Sequence, residues 1–199
     1  NPDTWNLHDG NETDSDHILA EIGKYAGFLR MAGGLTITGG EPLVQADFVH
    51  DIFERAKNEL HLHTALDTQG FLAAGLPDEW FDSVDLVLLD IKEMNPETHQ
   101  KLTGKPLQPT LDFAQRLARM GKPVWLRYVL VPGLTDSDED LQALADFIEP
   151  LKNIERVEVL PFHNMAIHKW DDLKIPYTLR DTPSPTNEEV EHARGILHR

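Results

Sequence analysis

Polar side chains able to grip a ligand stand at or just beyond the ends of five apolar segments in this sequence. They are Glu41 after Gly39-Gly40, Asp67 with Thr68, Asp90 with Lys92, Arg127, and His163. Carboxylates can accept hydrogen bonds from an ammonium group or bind a cation, whereas Lys, Arg and His side chains hold carboxylates or hydroxyls. Such a mixed set suits a zwitterionic ligand. It includes no nucleophile with an adjacent base, so it does not predict covalent catalysis.

The pair Gly39-Gly40 marks the first of these places. Two glycines after an apolar strand let the backbone turn sharply and come close to a ligand. The simpler interpretation is a tight turn, with Glu41 favoured by the dipole of the helix that follows. Both interpretations stay open from these residues alone.

Hydrophobic periodicity predicts helices and strands that alternate along the chain. The predicted strands are Leu35–Thr38, His63–Thr68, Val84–Asp90, Val124–Val131 and Val157–Leu160. The predicted helices cover Ser15 to Gly33 with Ser15 or Asp16 as the cap, Phe48–Leu60, a short helix near Asp78–Phe81, Pro96–Thr103, Thr110–Met120, Asp136 or Ser137 to about Leu151, and a last helix from about Pro185. This alternation predicts an α/β fold with parallel strands, whose polar ends converge on one cavity.

The order of the elements adds an expectation about the N-terminus. The irregular stretch Asn1–Asn11 leads into a helix, whereas a βα architecture normally opens with a strand. We therefore expect one domain over residues 1–199, a partial (β/α)6 barrel whose first strand and following loop are missing by truncation.

Composition excludes several classes of function. The 199 residues are 40% hydrophobic and 26% charged, as expected for one well-buried domain. Their net charge of −16 argues against a nucleic-acid partner, which needs clustered Lys and Arg. No apolar run approaches the roughly 20 residues of a membrane span, and no signal peptide is visible, so we expect a cytoplasmic protein with no membrane partner. With no cysteine, these residues can form no disulfide and no thiolate metal site.

The ordered set of motifs resembles a known family. Gly39-Gly40-Glu41-Pro42, Asp67-Thr-Gln-Gly70, Asp90-Ile-Lys92, Arg127-Tyr-Val-Leu-Val-Pro-Gly133 and Leu160-Pro-Phe-His163 occur in this order in radical S-adenosylmethionine activating enzymes. The resemblance runs across essentially the whole chain and is strongest to the activases of pyruvate formate-lyase. Asn1-Pro-Asp-Thr-Trp5 looks like the stretch that follows the cysteine loop of that family.

The resemblance implies a function and its cofactors. Family members bind S-adenosylmethionine next to a [4Fe–4S] cluster held by three cysteines, and they use a 5′-deoxyadenosyl radical to abstract a glycine hydrogen from a glycyl radical enzyme. An electron donor such as flavodoxin or ferredoxin is implied as a second partner. Because this chain has no cysteine, we expect the fragment itself to carry no cluster and no catalytic residue, and to be inactive alone.

Roles for individual residues also follow from the resemblance. Gly39, Gly40 and Glu41 would receive the methionine ammonium, and Asp90-Ile91-Lys92 would contact the methionine end. His163 would lie on the adenosine side, and Arg127 would face the cavity in a supporting role. A monovalent cation would be bordered by Asp67, Thr68 and Asp90. One departure is Gln69, where close relatives often carry Asn.

Plainer interpretations stay open for several of these residues. Asp90 and Lys92 could form a surface ion pair, and Arg127 could make a structural salt bridge to a strand-end acid. His163 could be a structural histidine. The rival functions are another radical enzyme of the superfamily, either a different glycyl radical activase or a small-molecule enzyme, and a non-catalytic fragment.

Two further places invite a functional interpretation. His61 and His63 alternate as metal ligands on a strand would, but two ligands without a third are weak, so we interpret them as exposed strand residues. His168 and Trp170 are expected to pack a long loop after the fifth strand, with docking of a protein partner as the alternative.

Overall fold

A single five-stranded parallel sheet organises the computed structural model, which describes residues 12–165 and 167–197. The strands are β1 (Leu35–Ile37), β2 (Thr64–Thr68), β3 (Leu86–Asp90), β4 (Val124–Leu130) and β5 (Ile154–Pro161). Each strand pairs in parallel with the next one along the chain, in the order β1-β2-β3-β4-β5. That order is the order of a barrel wall, so the predicted α/β class and partial barrel are confirmed. The expectations for Asn1–Asn11 lie outside the described residues.

Helices connect the strands. They are α1 (Ser15–Gly23), α2 (Ala26–Ala32), α3 (Ala46–Asn58), α4 (Pro96–Thr103), α5 (Gln108–Met120), α6 (Asp138–Ile148), α7 (Ile167–Asp172) and α8 (Asn187–Leu197). Three 3-10 helices, Pro42–Gln45, Phe71–Gly75 and Asp78–Ser83, lie in the connections after β1 and β2. None of the helices described has both the length and the apolar character that a membrane crossing requires.

Local sequence chemistry accounts for the helix boundaries. Asn95 caps α4 by accepting hydrogen bonds from two backbone N–H groups, and Pro96 follows at the first helical position. Ser137 caps α6 in the same way by accepting from the N–H of Asp140. The helix α5 ends at Gly121, which adopts the left-handed conformation common after a helix.

Strand β4 shows how the two faces of the sheet differ. Its residues alternate between buried and half-buried along its length. Leu126, Tyr128 and Leu130 pack into a core with α6 and α8, whereas Arg127 lies on the other face. Because successive side chains of a strand point to opposite faces, this alternation brings Arg127 to the concave side of the sheet.

Three apolar clusters cover the convex face. One joins α3 and α5 to β2, β3 and β4, with Phe53, Phe81 and Leu117 fully buried. A second joins α6 and α8 to β4 and β5, and a third packs α1 against α3. These clusters hold the strands from one side, so the carboxyl ends of the strands are fixed in a common row.

Local predictions differ from the structure in three places. The helix predicted over Ser15 to Gly33 is two helices, and its cap is Asp14, whose side chain accepts from His17 N–H. His61 and His63 are exposed but precede β2, and His61 has a φ of 54°, which no strand residue adopts. The predicted loop after β5 contains α7, where Trp170 stacks on Tyr177 with ring centroids 4.9 Å apart.

Candidate functional site

A polar cavity lies at the carboxyl ends of β1 to β4. Its volume is about 310 Å³, at the small end of the roughly 300–1,000 Å³ typical of ligand clefts. The lining residues are Thr38, Gly39, Gly40, Glu41, Asp67, Thr68, Gln69, Asp90, Lys92 and Arg127. The parallel sheet thus gathers side chains that are far apart in the sequence at the edge where such folds bind ligands.

The turn after β1 exposes backbone to this cavity. Gly39 has a φ of 150°, a conformation that side-chain-bearing residues rarely adopt, and no atom lies within 4 Å of the position a Cβ would take. A ligand can therefore approach the backbone here without meeting a side chain. The space beside Gly39 is open, and a ligand-binding role for the glycine pair stays a prediction beside the tight turn.

Glu41 ties the ends of β1 and β2 together. It is only 6% exposed, and its Oε1 accepts hydrogen bonds from Leu43 N–H at 3.1 Å and from the Thr68 hydroxyl at 2.7 Å. Its Oε2 accepts from the N–H of Gln69 at 3.1 Å. A buried carboxylate with three donors is well satisfied, so Glu41 fixes the shape of the cavity wall.

The end of β2 depends on Gly70. This residue has a φ of 74°, and a Cβ added to it would overlap the ring of Phe113 on α5. The Thr68 hydroxyl accepts the Gly70 N–H at 2.9 Å, and the Gln69 carbonyl accepts the hydroxyl of Thr110 at 2.9 Å. These contacts fasten the turn that carries Thr68 and Gln69 to α5.

Arg127 joins two carboxylates across the cavity floor. Its Nε donates to Asp90 Oδ1 at 2.9 Å, and its Nη2 crosses β3 to donate to Asp67 Oδ1 at 2.7 Å. The other oxygens are also engaged, with Thr38 Oγ1 donating to Asp67 Oδ2 at 2.9 Å and Lys92 Nζ donating to Asp90 Oδ2 at 2.7 Å. The structural salt bridge considered for Arg127 is therefore present.

Charge in the cavity is nearly balanced. Burial lowers the pKa of Arg127, but the hydrogen bonds and negative charges of Asp90 and Asp67 outweigh it and raise the pKa above its ordinary value. The guanidinium therefore stays charged. With three carboxylates and two cations, the lining residues sum to a formal charge of −1.

Donor capacity remains on the two cations. Lys92 uses one of its three N–H bonds on Asp90 and keeps its side chain 36% exposed. Arg127 uses two of its five on Asp67 and Asp90. The exposed end of Lys92 is therefore able to hold an incoming carboxylate.

Two residues predicted for the site do not line this cavity. Ile91 is fully buried, and its side chain packs into the core with Leu126 and Tyr128, so only its backbone lies near the site. His163 is exposed just after β5 and is not among the lining residues. The other predicted site residues are gathered at one place.

The predicted cation position already contains a protein cation. The guanidinium of Arg127 lies between Asp67 and Asp90, and the Thr68 hydroxyl is engaged with Glu41. Among the residues that the structure describes, no group of three or more His, Cys, Asp or Glu could hold a metal ion. A monovalent cation bordered by Asp67, Thr68 and Asp90 stays a prediction.

Sequence reasoning missed Thr38 and Gln69 as lining residues. Thr38 follows β1 directly and carries a hydroxyl, which is the signal that could have placed it with Glu41. Gln69 contributes its backbone to the Glu41 hydrogen bonds, and no side-chain pattern reports that contribution.

Comparison with known proteins identifies the family. The Radical SAM superfamily profile matches residues 1–148. Pyruvate formate-lyase 1-activating enzyme of Escherichia coli K12 is 41% identical over 202 residues, spanning 100% of this chain and 82% of that protein. Pyruvate formate-lyase-activating enzyme of Streptococcus mutans is also 41% identical, over 206 residues, spanning 100% of this chain and 78% of that protein.

Solved structures give the same fold. A domain of pyruvate-formate lyase-activating enzyme from Bacteroides vulgatus is 26% identical with a TM-score of 0.67, covering 83% of this chain and 92% of that one. A radical SAM methyltransferase from Sphaerobacter thermophilus has the same TM-score at 18% identity, covering 93% of this chain and 55% of that one, and supports the fold alone. From its strand-end cavity, parallel sheet and relatives, the chain belongs to the Radical SAM superfamily and, within it, to the pyruvate formate-lyase activating enzymes.

Proposed function

We propose that the strand-end cavity is the S-adenosylmethionine cradle of an enzyme that activates pyruvate formate-lyase by forming a glycyl radical on it. The observation that carries this proposal is the juxtaposition of open glycine backbone at Gly39, paired carboxylates and the exposed cation of Lys92 in one cavity. Membership of the activase family supplies the reaction.

Charge complementarity supports this ligand. S-adenosylmethionine carries a sulfonium, an ammonium and a carboxylate, and so has a net charge of +1. The cavity residues have a formal sum of −1. A volume of about 310 Å³ suits the methionine part, with the nucleoside extending beyond it.

Roles for the lining residues follow from their free hydrogen-bonding capacity. The open backbone at Gly39 and the adjoining lining residue Gly40 would accept the methionine ammonium, while the donors of Lys92 would hold its carboxylate. Arg127 and Glu41 would keep the walls in place, since their hydrogen bonds are directed to neighbouring strands. His163 and the backbone of Ile91 stay candidates for contact with the rest of the nucleoside.

The cofactor carries the difficult chemistry and the protein orients it. S-adenosylmethionine, when bound, supplies the adenosyl group that takes a hydrogen atom from a glycine of the partner. The thiolates that hold a [4Fe–4S] cluster cannot come from these 199 residues, which contain no cysteine, so no step is derived through it. The chain's own part is to bind the methionine end and keep water from it.

The proposal also names the protein partners of this enzyme and its location in the cell. The glycyl radical enzyme is pyruvate formate-lyase, the electron donor is a flavodoxin or a ferredoxin, and the location is the cytoplasm. The relatives' names support the first of these. Binding of immobilised pyruvate formate-lyase, compared with another glycyl radical enzyme, tests the partner; equal binding to both would favour the rival activase.

Calorimetric titration with S-adenosylmethionine tests the cradle. Lys92→Met removes the exposed donor and should weaken binding about tenfold, the effect of losing a charge-assisted hydrogen bond. The matched control is Lys101→Met on α4, an exposed lysine outside the cavity, which should bind as the parent does. Equal affinity of the parent and the Lys92 variant would remove Lys92 from the site, and no binding at all by the parent would contradict the proposal for this chain.

A further inference from the structure

A carboxylic acid lies buried directly behind the cavity. Glu93 follows Lys92 and is 0% exposed. Its Oε1 accepts hydrogen bonds from the backbone N–H groups of Met94 at 2.6 Å and Asn95 at 2.8 Å. Its Oε2 is also buried and has no hydrogen-bond partner among the described residues.

No Lys, Arg or His side chain of the described residues forms an ion pair or a hydrogen bond with Glu93, whose partners are backbone N–H groups. Asp140, in the first turn of α6, faces it with a second carboxylate. Tyr128 of β4 lies near it, but the Tyr128 hydroxyl donates to the Thr135 carbonyl at 2.8 Å. Lys92, the residue next to Glu93, donates its Nζ to Asp90 instead.

An ionised carboxylate in this position would be unstable. A buried charge is tolerated when a counter-charge or several donors hold it, and here Oε2 has neither. Its acidic neighbour Asp140 would repel it. A proton between the two carboxyl groups removes the repulsion and provides the missing donor.

We propose that Glu93 is a positioning residue that acts in its protonated form, with Oε1 holding the turn after Lys92 and the Oε2 proton directed to Asp140. The turn from β3 to α4 is thereby fastened to α6. Where it concerns ligand binding, this inference rests on the proposed function of the cavity. Its effect on stability does not.

Electrostatics agree with the geometry. Burial raises the pKa of Glu93 above its ordinary value, and the charge of Asp140 raises it further. The hydrogen bonds from Asn95 and Met94 act in the opposite direction without cancelling the rise. A carboxyl with a raised pKa keeps its proton in the folded protein under conditions where the unfolded chain has released it.

The sign of the pH effect follows. Below the ordinary pKa of about 4.5 both states hold the proton, so the stabilising contribution is complete. As pH rises from there through the raised folded pKa, the unfolded state gains by ionising, and that contribution is lost. A variant with a permanently neutral side chain at position 93 should not lose folding stability in this way as pH rises.

Urea unfolding of the full chain from about pH 4 to about pH 8.5, a range that begins below the ordinary pKa of 4.5, tests the proposal. Glu93→Gln keeps the shape, an acceptor and a donor, and its folding equilibrium constant should rise relative to the parent as pH rises, by at most about tenfold per pH unit. The control is Glu97→Gln, an exposed glutamate in the first turn of α4, whose ratio to the parent should not change with pH. A pH-independent ratio for Glu93→Gln would overturn the protonated state.

A direct measurement removes dependence on unfolding. The side-chain carboxyl ¹³C resonance of Glu93, assigned by its absence in Glu93→Gln, should titrate with a midpoint above the ordinary 4.5. A midpoint at or below that value would overturn the proposal even if the variant were unstable.

Ligand affinity tests the positioning role. Glu93→Ala, which lacks the acceptor for the Met94 and Asn95 N–H groups, should bind S-adenosylmethionine about tenfold more weakly, and Glu93→Gln should bind within about twofold of the parent. Equal binding by all three would show that Glu93 supports the fold but not the cavity. If the parent itself does not bind, the cavity assignment fails, and the titration of Glu93 still decides its protonation.

Discussion

Two groups of carboxylates have opposite surroundings in this structure, although Asp90 of the first group and Glu93 of the second are only three residues apart in the sequence. In the cavity, Asp67 and Asp90 share the guanidinium of Arg127, and Asp90 also holds Lys92. Behind the cavity, Glu93 has Asp140 as an acidic neighbour, and no cation of the part of the chain that the structure describes pairs with it. The first group lies beside cations, and the second is arranged to keep a proton.

The difference teaches how one turn can serve both a polar ligand and an apolar core. Asp90 ends β3 on the concave face, where half-burial and neighbouring strands bring cations within reach. Glu93 is buried near Tyr128, where its partners among the described residues are two backbone N–H groups and its charged neighbour is another acid. The surroundings of a carboxyl group, and not its residue type, therefore decide whether it meets a cation or is left to hold a proton.

Removing Arg127, the cation that Asp67 and Asp90 share, should cause the largest loss in the free energy of unfolding. Arg127→Met removes the cation that Asp67 and Asp90 share and leaves Lys92 as the remaining cation on Asp90, and we expect a loss of about 3 kcal/mol in the free energy of unfolding. Urea denaturation at neutral pH measures it. Arg119→Met, at an exposed position of α5, is the control and should change stability by about 0.5 kcal/mol or less. Equal losses in both variants would mean that the carboxylates do not depend on Arg127.

Glu41→Ala should give the next largest effect. The change leaves the N–H groups of Leu43 and Gln69 and the Thr68 hydroxyl without their acceptor, and should cost about 2 kcal/mol. Urea denaturation measures this too, beside Glu54→Ala on the exposed side of α3. A loss confined to ligand binding, with no change in stability, would make Glu41 a ligand contact and not a wall residue.

The substitution Asp140→Asn tests whether Asp140 helps Glu93 to keep its proton. Replacing the neighbouring charge with an amide donor should bring the pKa of Glu93 down toward its ordinary value. The variant's stability should therefore rise relative to the parent with increasing pH, by at most about 1.4 kcal/mol per unit.

The double variant is the check on that prediction. In a Glu93→Gln background the same Asp140→Asn change should have no pH-dependent effect, since position 93 no longer titrates. A pH dependence that persists there would assign the proton to another group.

Lys92→Met should have the smallest effect on stability. Lys92 is 36% exposed, and a pair of this kind contributes about 0.5 kcal/mol or less. Thermal denaturation compares it with the parent. A melting temperature within about 2 °C of the parent would show that weakened ligand binding in this variant is not a consequence of unfolding, whereas a large drop would place Lys92 in the structural network.

Much of the fold was predictable because it depends on local patterns. Val124–Val131 alternates and ends at Pro132-Gly133, and β4 covers Val124–Leu130. The helix predicted over Ser15 to Gly33 was wrong in detail, since apolar spacing alone does not report the break before Ala26. His61 was wrong as a strand residue because its positive φ has no side-chain signature.

The sequence predicted which residues gather at the candidate site, but not the hydrogen bonds and ion pairs between them. Their positions at strand ends were enough to predict that Glu41, Asp67, Asp90 and Arg127 lie close together, because parallel strands end at one edge of the sheet. It gave no account of Ile91, whose side chain belongs to the core. It also did not single out Glu93, because the sequence next to Lys92 does not reveal which way each side chain turns.

By itself the sequence determined the alternation of strands and helices, the polar residues at the strand ends and the family, since these depend on residue types and on spacing along the chain. Only the tertiary structure decided which charges meet. Arg127 contacts Asp90 across 37 residues and Asp67 across 60, and Glu93 meets Asp140 from a different element. Burial and charge pairing depend on distances in space, and these are set by the packing of helices on the sheet.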